Sequence, residues 1–171
     1  MSLSTIATPR VARLLIAFCD IDGFLGISKR LGDDLALFRF MDGYLKEAQA
    51  LLGAGLVIKM MGDEFIFLSE EPDAGLRALL EAKPRLEAIL AAAGGQASLR
   101  VRAHVGEMAV GPFGPGDAID VYGDAVNRCA RLDERRHAGS VLISPEAFRS
   151  LSPETRKLFR RQTPQVVYLS S

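Results

Sequence analysis

From Val11 to Cys19 the chain reads V-A-R-L-L-I-A-F-C, a nearly unbroken apolar run with β-branched and aromatic members that stops at Asp20. A run of this kind is expected to be a central strand covered on at least one face, with partner strands beside it. Asp20 is thereby delivered at a strand end, where a carboxylate can meet solvent or a ligand.

The segments that follow supply the partners. A glycine-containing turn leads to Asp33 and Asp34, which can cap a helix whose apolar positions Phe38, Met41, Leu45, Ala48 and Leu52 recur at helical spacing. Leu56 to Met60 and Glu64 to Leu68 read as short strands of a hairpin whose tip holds Met61, Gly62 and Asp63. Asp73 to Ala93 is rich in alanine and leucine and predicts a helix that Pro84 kinks or splits. Leu99, Val101, Ala103 and Val105 alternate with Arg100, Arg102 and His104, the period of a strand buried on one face only, and a turn from Gly111 to Gly116 follows. Helix Tyr122 to Arg135, strand Ser140 to Ile143, helix Pro145 to Leu151 and strand Gln165 to Leu169 complete the order βαββαββαβ. That order predicts an α+β fold: an antiparallel-rich sheet with helices on one face, a ferredoxin-like βαββαβ core with additional C-terminal strands and helices.

Composition bounds the function. The 171 residues, 49% of them hydrophobic, suit one compact domain over residues 11–171 behind a flexible lead of ten residues. Lysine plus arginine equals aspartate plus glutamate at 21 each, so no global positive field draws nucleic acid or an anionic membrane, and any phosphate site must be local. No apolar run approaches the roughly 20 residues that cross a bilayer, and no signal core is visible. Cys19 and Cys129 fit no disulfide or zinc spacing and read as partly buried, so a reducing cytoplasm is expected. His104 and His137 have no partner set that would make a triad or a zinc site.

Three short segments carry the chemistry. Phe18 to Phe24 reads F-C-D-I-D-G-F, Ile58 to Phe65 reads I-K-M-M-G-D-E-F, and Asp120 to Arg131 reads D-V-Y-G-D-A-V-N-R-C-A-R. Asp20 ends one strand and Asp63 sits on a hairpin tip that adjacent strands can bring alongside; paired carboxylates suit Mg²⁺. Small residues ending in Gly23 would point backbone N–H groups at a phosphate, and the helix start at Phe24 adds a favourable dipole. On the last segment, Asn127 and Arg131 lie four positions apart on one helix face. Taken singly, each feature has a plainer reading: a strand-ending turn, an ordinary hairpin, a solvated lysine, a wet helix face.

Together the three segments resemble the class III nucleotidyl cyclases over roughly residues 11 to 152. The resemblance implies that Asp20, Asp63 and the Ile21 carbonyl hold two Mg²⁺ or Mn²⁺ ions, and that Ile21, Gly23 and Phe24 lie along the triphosphate. It also implies that Lys59 and Asp120 read the base, that Asn127 orients the ribose and that Arg131 stabilises the reacting phosphate. An ammonium donating to adenine N1 and a carboxylate accepting from its N6 amino group fit adenine, whereas guanine reverses both contacts. The expected reaction is therefore ATP to 3′,5′-cyclic AMP and pyrophosphate, in a homodimer whose shared sites draw residues from both chains. Regulatory domains outside this chain are compatible with the pattern.

Two alternatives belong beside it. D-I-D-G-F and G-D-E-F also resemble the GGDEF diguanylate cyclases, although Met61 replaces the first glycine and the Asn127/Arg131 helix has no place there. A catalytically silent nucleotide-binding module is the other. Two departures from the class III pattern also stand out: the lysine that often contacts the triphosphate has no clear match, with Arg160 or Arg161 as substitutes, and the compact turn before Ala118 implies a short dimerisation arm.

Overall fold

The computed structural model describes residues 3–53, 55–94, 96–132, 140–162 and 167–170. Its centre is a single sheet with the order β2-β3-β1-β4-β6-β8-β7, to which β5 adds by pairing with β4. Strand β1 (Arg10–Asp22) lies antiparallel between β3 (Glu64–Ser69) and β4 (Ser98–Phe113), with β2 (Leu56–Met61) outside β3. With α1 (Phe24–Leu31), α2 (Asp34–Leu51) and α3 (Pro72–Ala92) this makes the ferredoxin-like βαββαβ core. Strand β5 (Ala118–Tyr122), helix α4 (Asp124–Ala130), strand β6 (Val141–Ile143), helices α5 (Pro145–Arg149) and α6 (Pro153–Arg156), and strands β7 (Phe159–Gln162) and β8 (Val167–Ser170) complete it.

The two faces of β1 explain both layers. Leu15, Ala17, Cys19 and Ile21 point into a core built with α1, α2, α3 and α5, where Ile27, Tyr44, Leu76, Leu86 and Ala147 are buried. Leu14, Ile16 and Phe18 point the other way, into a second core with Val121, Ala125 and Cys129. The expectation of helices on one face is corrected here: α4 covers the opposite face, because Ala125 and Cys129 give it its own apolar stripe. For the same reason β4 is covered on both faces, and His104 is buried rather than solvated.

Several local readings shift. Helix α3 is one element with Pro84 inside it, not two pieces. Pro84 is exposed while Leu79, Ala82, Leu86 and Leu90 are buried, so the sheet contact carries the helix across the lost N–H donor. On α2, Asp33 caps as expected, accepting from the N–H groups of Leu35 and Ala36, but Phe38 is 70% exposed and Tyr44 takes the buried place. Strand β4 continues to Phe113, opposite Ala118, so the turn is confined to residues 114–117. Helix α4 begins after Gly123 and ends at Ala130; residues 133–135 of the expected helix lie outside the described residues, as does His137. The expected last strand from Gln165 to Leu169 corresponds to β8, with residues 165 and 166 outside the described residues, and β7 before it is a further strand that the sequence reading did not include. Leu3 and Ile6, in the segment read as a flexible lead, are buried in the second core, and both cysteines are fully buried.

Candidate active site

Asp20 lies on β1 with Phe18 and Ile16 on the face that α4 covers, opposite Glu64 on β3 and Arg100 on β4. The β2–β3 turn brings Asp63 alongside, because the Ile21 N–H donates to the Asp63 carbonyl at 3.1 Å. The carboxylates of Asp20 and Asp63 are both near enough to raise the pKa of Glu64. Three acidic side chains thus meet at one end of the sheet, brought there by strand pairing rather than by sequence proximity.

Two guanidiniums answer them. Arg100 Nη2 pairs with Asp20 Oδ2, and Arg102 Nη2 donates to Glu64 Oε1 at 2.5 Å. Burial pushes the Glu64 carboxyl above its ordinary value, and Arg102 opposes the shift without reversing it. Arg102 also lies over the Phe18 ring, 5.5 Å from its centroid. Glu64, Arg100 and Arg102 were not among the residues singled out from the sequence. Their signal was there in the position of Glu64 beside Asp63 and in the alternation that sets Arg100 and Arg102 on the face of Asp20.

Gly23 caps α1 at φ 87°, a left-handed conformation, and a Cβ there would meet the Gln96 carbonyl oxygen at 2.8 Å. Gly23 makes no side-chain cap to α1, and the first N–H groups, those of Phe24 and its neighbours, start next to the Asp20–Asp22 strand end. Among the described residues no group of three or more metal-ligating side chains has the geometry of a protein-only metal cage. The donors nevertheless fit Mg²⁺ or Mn²⁺, which take one or two carboxylates and fill the remaining positions with water and substrate phosphate.

A second feature lies on the same face. Asp120 in the middle of β5 and Asn127 on α4 line one open cavity of about 230 Å³, together with Phe18, Ile66, Val121, Tyr122, Gly123 and Val126. Asp120 Oδ1 accepts from the Val121 N–H at 2.8 Å. Arg131 is exposed at the C-terminal end of α4, its N–H donating to the Asn127 carbonyl at 3.2 Å, and it does not line this cavity. The β2 backbone runs through Lys59, opposite Ile66, but the Lys59 side chain lies outside what is described. Arg160 and Arg161 are exposed on β7, the far edge of the sheet from β2.

The structure therefore brings Asp20, Asp63 and Gly23 together at one strand end, and Asp120 and Asn127 together at one cavity. Phe18, which lines the cavity, lies two residues before Asp20 on the same face of β1.

A sequence model of the adenylate and guanylate cyclase catalytic domain matches residues 6–168. A protein named adenylate cyclase from Glutamicibacter nicotianae is 23% identical over 160 residues, 91% of this chain; the chain spans 36% of that relative's length. Among solved structures, the adenylyl cyclase CyaB from P. aeruginosa superposes with a TM-score of 0.79 at 21% identity, covering 96% of each chain. The guanylate cyclase domain of RhGC from Catenaria anguillulae, in complex with GTP, gives 0.74 at 17% identity, covering 96% of this chain and 98% of that one. At these identities the superpositions speak for the fold.

Proposed function

Because the chain belongs to the adenylate and guanylate cyclase catalytic domain family, we propose that it converts ATP to 3′,5′-cyclic AMP and pyrophosphate in a homodimer. The observation that carries the choice of nucleotide is the carboxylate of Asp120 sharing a cavity with Asn127. A carboxylate accepts from the adenine N6 amino group and repels the guanine O6 acceptor. Lys59, donating to adenine N1, completes the pair.

In this reading Asn127 holds the ribose so that its 3′ oxygen lies in line with the α-phosphate, and Arg131 spreads the negative charge that builds up as pyrophosphate leaves. Gly23, Ile21 and Phe24 present backbone groups to the triphosphate, where a side chain at position 23 would collide with the Gln96 carbonyl. Divalent ions bound by Asp20 and Asp63, with the Ile21 carbonyl, would supply positive charge to the attacking oxygen and the phosphates. The GGDEF reading has no place in this family assignment.

The homodimer is supported by the exposure of Arg131 outside the Asp120–Asn127 cavity and by the β4–β5 hairpin. There, Phe113 and Tyr122 are 55% and 53% exposed with ring centroids 5.0 Å apart, an aromatic pair suited to a partner's surface. No helix among the described residues is long and apolar enough to cross a membrane.

The test is turnover of ATP and, separately, GTP by the purified chain with Mn²⁺ or Mg²⁺ over a range of protein concentrations, each product identified chromatographically. Cyclic AMP from ATP, with specific activity rising with protein concentration and lost in Asp20→Asn, is expected. Cyclic GMP as the favoured product would overturn the base assignment, and no product under any condition would favour a silent nucleotide-binding module.

A further inference from the structure

Arg102 is held at four points, none of which its position in an alternating strand would announce. Its Nη2 donates to Glu64 Oε1 at 2.5 Å, and its Nη1 donates to the Ala130 carbonyl at 2.9 Å. Its guanidinium lies over the Phe18 ring. Its own carbonyl accepts from the Cys129 thiol at 3.1 Å. The side chain is 22% exposed, so these contacts form in a partly dry setting where charge-assisted bonds keep much of their strength.

The two prongs of the fork reach two different segments of the chain. One neutralises Glu64, the residue after Asp63 and opposite Asp20. The other takes up the last carbonyl of α4, immediately before Arg131. Helix α4 has only seven residues, so its carbonyl end is a large fraction of its length and is weakly held by its own ladder. A cation at that end satisfies an orphan acceptor and complements the helix dipole.

We propose that Arg102 is a positioning residue: it ties the end of α4, from which Arg131 projects, to the acidic strand end that carries Asp20 and Asp63. The link to catalysis rests on the cyclase reading above. In this arrangement Arg102 touches neither nucleotide nor metal; it sets where Arg131 stands relative to the sheet. A displacement of about 1 Å in such a group can cost on the order of a hundredfold in rate while leaving substrate affinity nearly intact.

Arg102→Met and Arg102→Lys are compared with the unaltered protein, and Arg102→Met is also built into Arg131→Ala. Arg102→Met is expected to lower kcat about 10- to 100-fold with KM within about threefold, and to add less than about threefold once Arg131 is absent. Arg102→Lys keeps the charge but cannot span two acceptors, so it is expected to follow the methionine variant. Amide hydrogen exchange supplies a readout independent of turnover. The N–H groups of Arg131 and Leu132, which close on the Asn127 and Cys129 carbonyls, are expected to exchange about tenfold faster in both variants, with β1 and β3 unchanged. Unchanged exchange at those two amides, or kcat losses that simply multiply in the Arg131→Ala background, would overturn the proposal. If Arg131→Ala itself leaves turnover intact, the cyclase role of Arg131 fails, while the exchange comparison still decides whether Arg102 holds the helix end. Should Arg102→Met not fold, Arg102→Lys carries the same comparisons.

Discussion

Asp20 and Arg100 stand directly opposite each other in the β1–β4 ladder, and their side chains close an ion pair across it. The carboxylate proposed to bind metal therefore already has a fixed cationic neighbour. With the two side chains only 20% and 24% exposed, removing one partner leaves the other poorly solvated. Arg100→Gln is expected to cost about 1–3 kcal/mol of stability, and the double variant with Asp20→Asn less than the sum of the single changes. Urea unfolding of the four proteins measures the coupling; strict additivity would mean that the pair contributes nothing.

His104 predicts an acid-sensitive fold. The imidazole is buried, its Nδ1 is 2.8 Å from Ser144 Oγ, and burial holds its pKa below the ordinary 6.5. Glu146 on α5, 3.8 Å away, and Asp124 on α4 pull the value up, while Arg128 on α4 and Arg13 on β1 push it down, so burial prevails with mixed charges around it. A pKa lowered on folding means that the neutral form is favoured in the native state. Its stabilisation is present above pH 6.5 and is lost as pH falls through the lower native value. The unfolding midpoint should drop over that window in the unaltered protein, and the drop should be smaller in His104→Gln, which cannot titrate.

Asp73 acts with the opposite titration habit but the same sign. Burial alone would raise its carboxyl; the N–H of Ser152, donating at 2.9 Å, the Thr155 and Ser152 hydroxyls, and Arg77 together hold it below the ordinary 3.8. A carboxylate lowered on folding stabilises above its unfolded value and loses that contribution as pH falls through the native one. Asp73→Asn should therefore cost about 1 kcal/mol at neutral pH. The difference from the unaltered protein should shrink as pH falls below 3.8, as read from denaturant midpoints at pH 7 and along a series of acid pH values.

Gly23 and Gly26 make a paired test of the strand-to-helix turn. At Gly23 the backbone is left-handed and a Cβ meets the Gln96 carbonyl oxygen at 2.8 Å, whereas at Gly26, inside α1, nothing lies within 4 Å of a Cβ. Gly23→Ala is expected to destabilise by about 1–3 kcal/mol and to lower turnover. Gly26→Ala is expected to stabilise by up to about 1 kcal/mol through helix propensity. Thermal melts of the two variants, which differ by one methyl group at sites three residues apart, would separate the turn from the helix.

The sequence made the core legible where one periodicity dominated. The apolar run before Asp20 is β1, the hairpin around Gly62 and Asp63 is β2–β3, and both acidic residues come to one strand end. What escaped it were contacts that strand register creates between distant segments. Arg100 and Arg102 read as the wet side of a half-buried strand because nothing local says that α4 will cover them. Asn127 and Asp120 were paired on motif spacing and do line one cavity, while Arg131 stands apart from it at the helix end. Phe38 was assigned to the core on helical spacing, which fixes a residue's stripe but not which edge of the stripe the sheet covers.

The hairpin that extends β4 into β5 offers the last prediction. Phe113 and Tyr122 form a tilted ring pair that leaves more than half of each residue exposed, an arrangement a monomer gains little from keeping. In a dimer the pair would bury large rigid surface at low entropic cost, with each aromatic side chain contributing on the order of 1–3 kcal/mol at an interface centre. The double variant Phe113→Ser, Tyr122→Ser should leave the melting temperature of dilute protein nearly unchanged, because these rings carry little of the fold. It should shift the protein concentration at half-maximal specific activity upward by about tenfold or more, and move the sedimentation profile toward monomer at micromolar protein. An unchanged concentration dependence would place the interface elsewhere on the domain, and a large loss of thermal stability would show that the rings serve the hairpin itself.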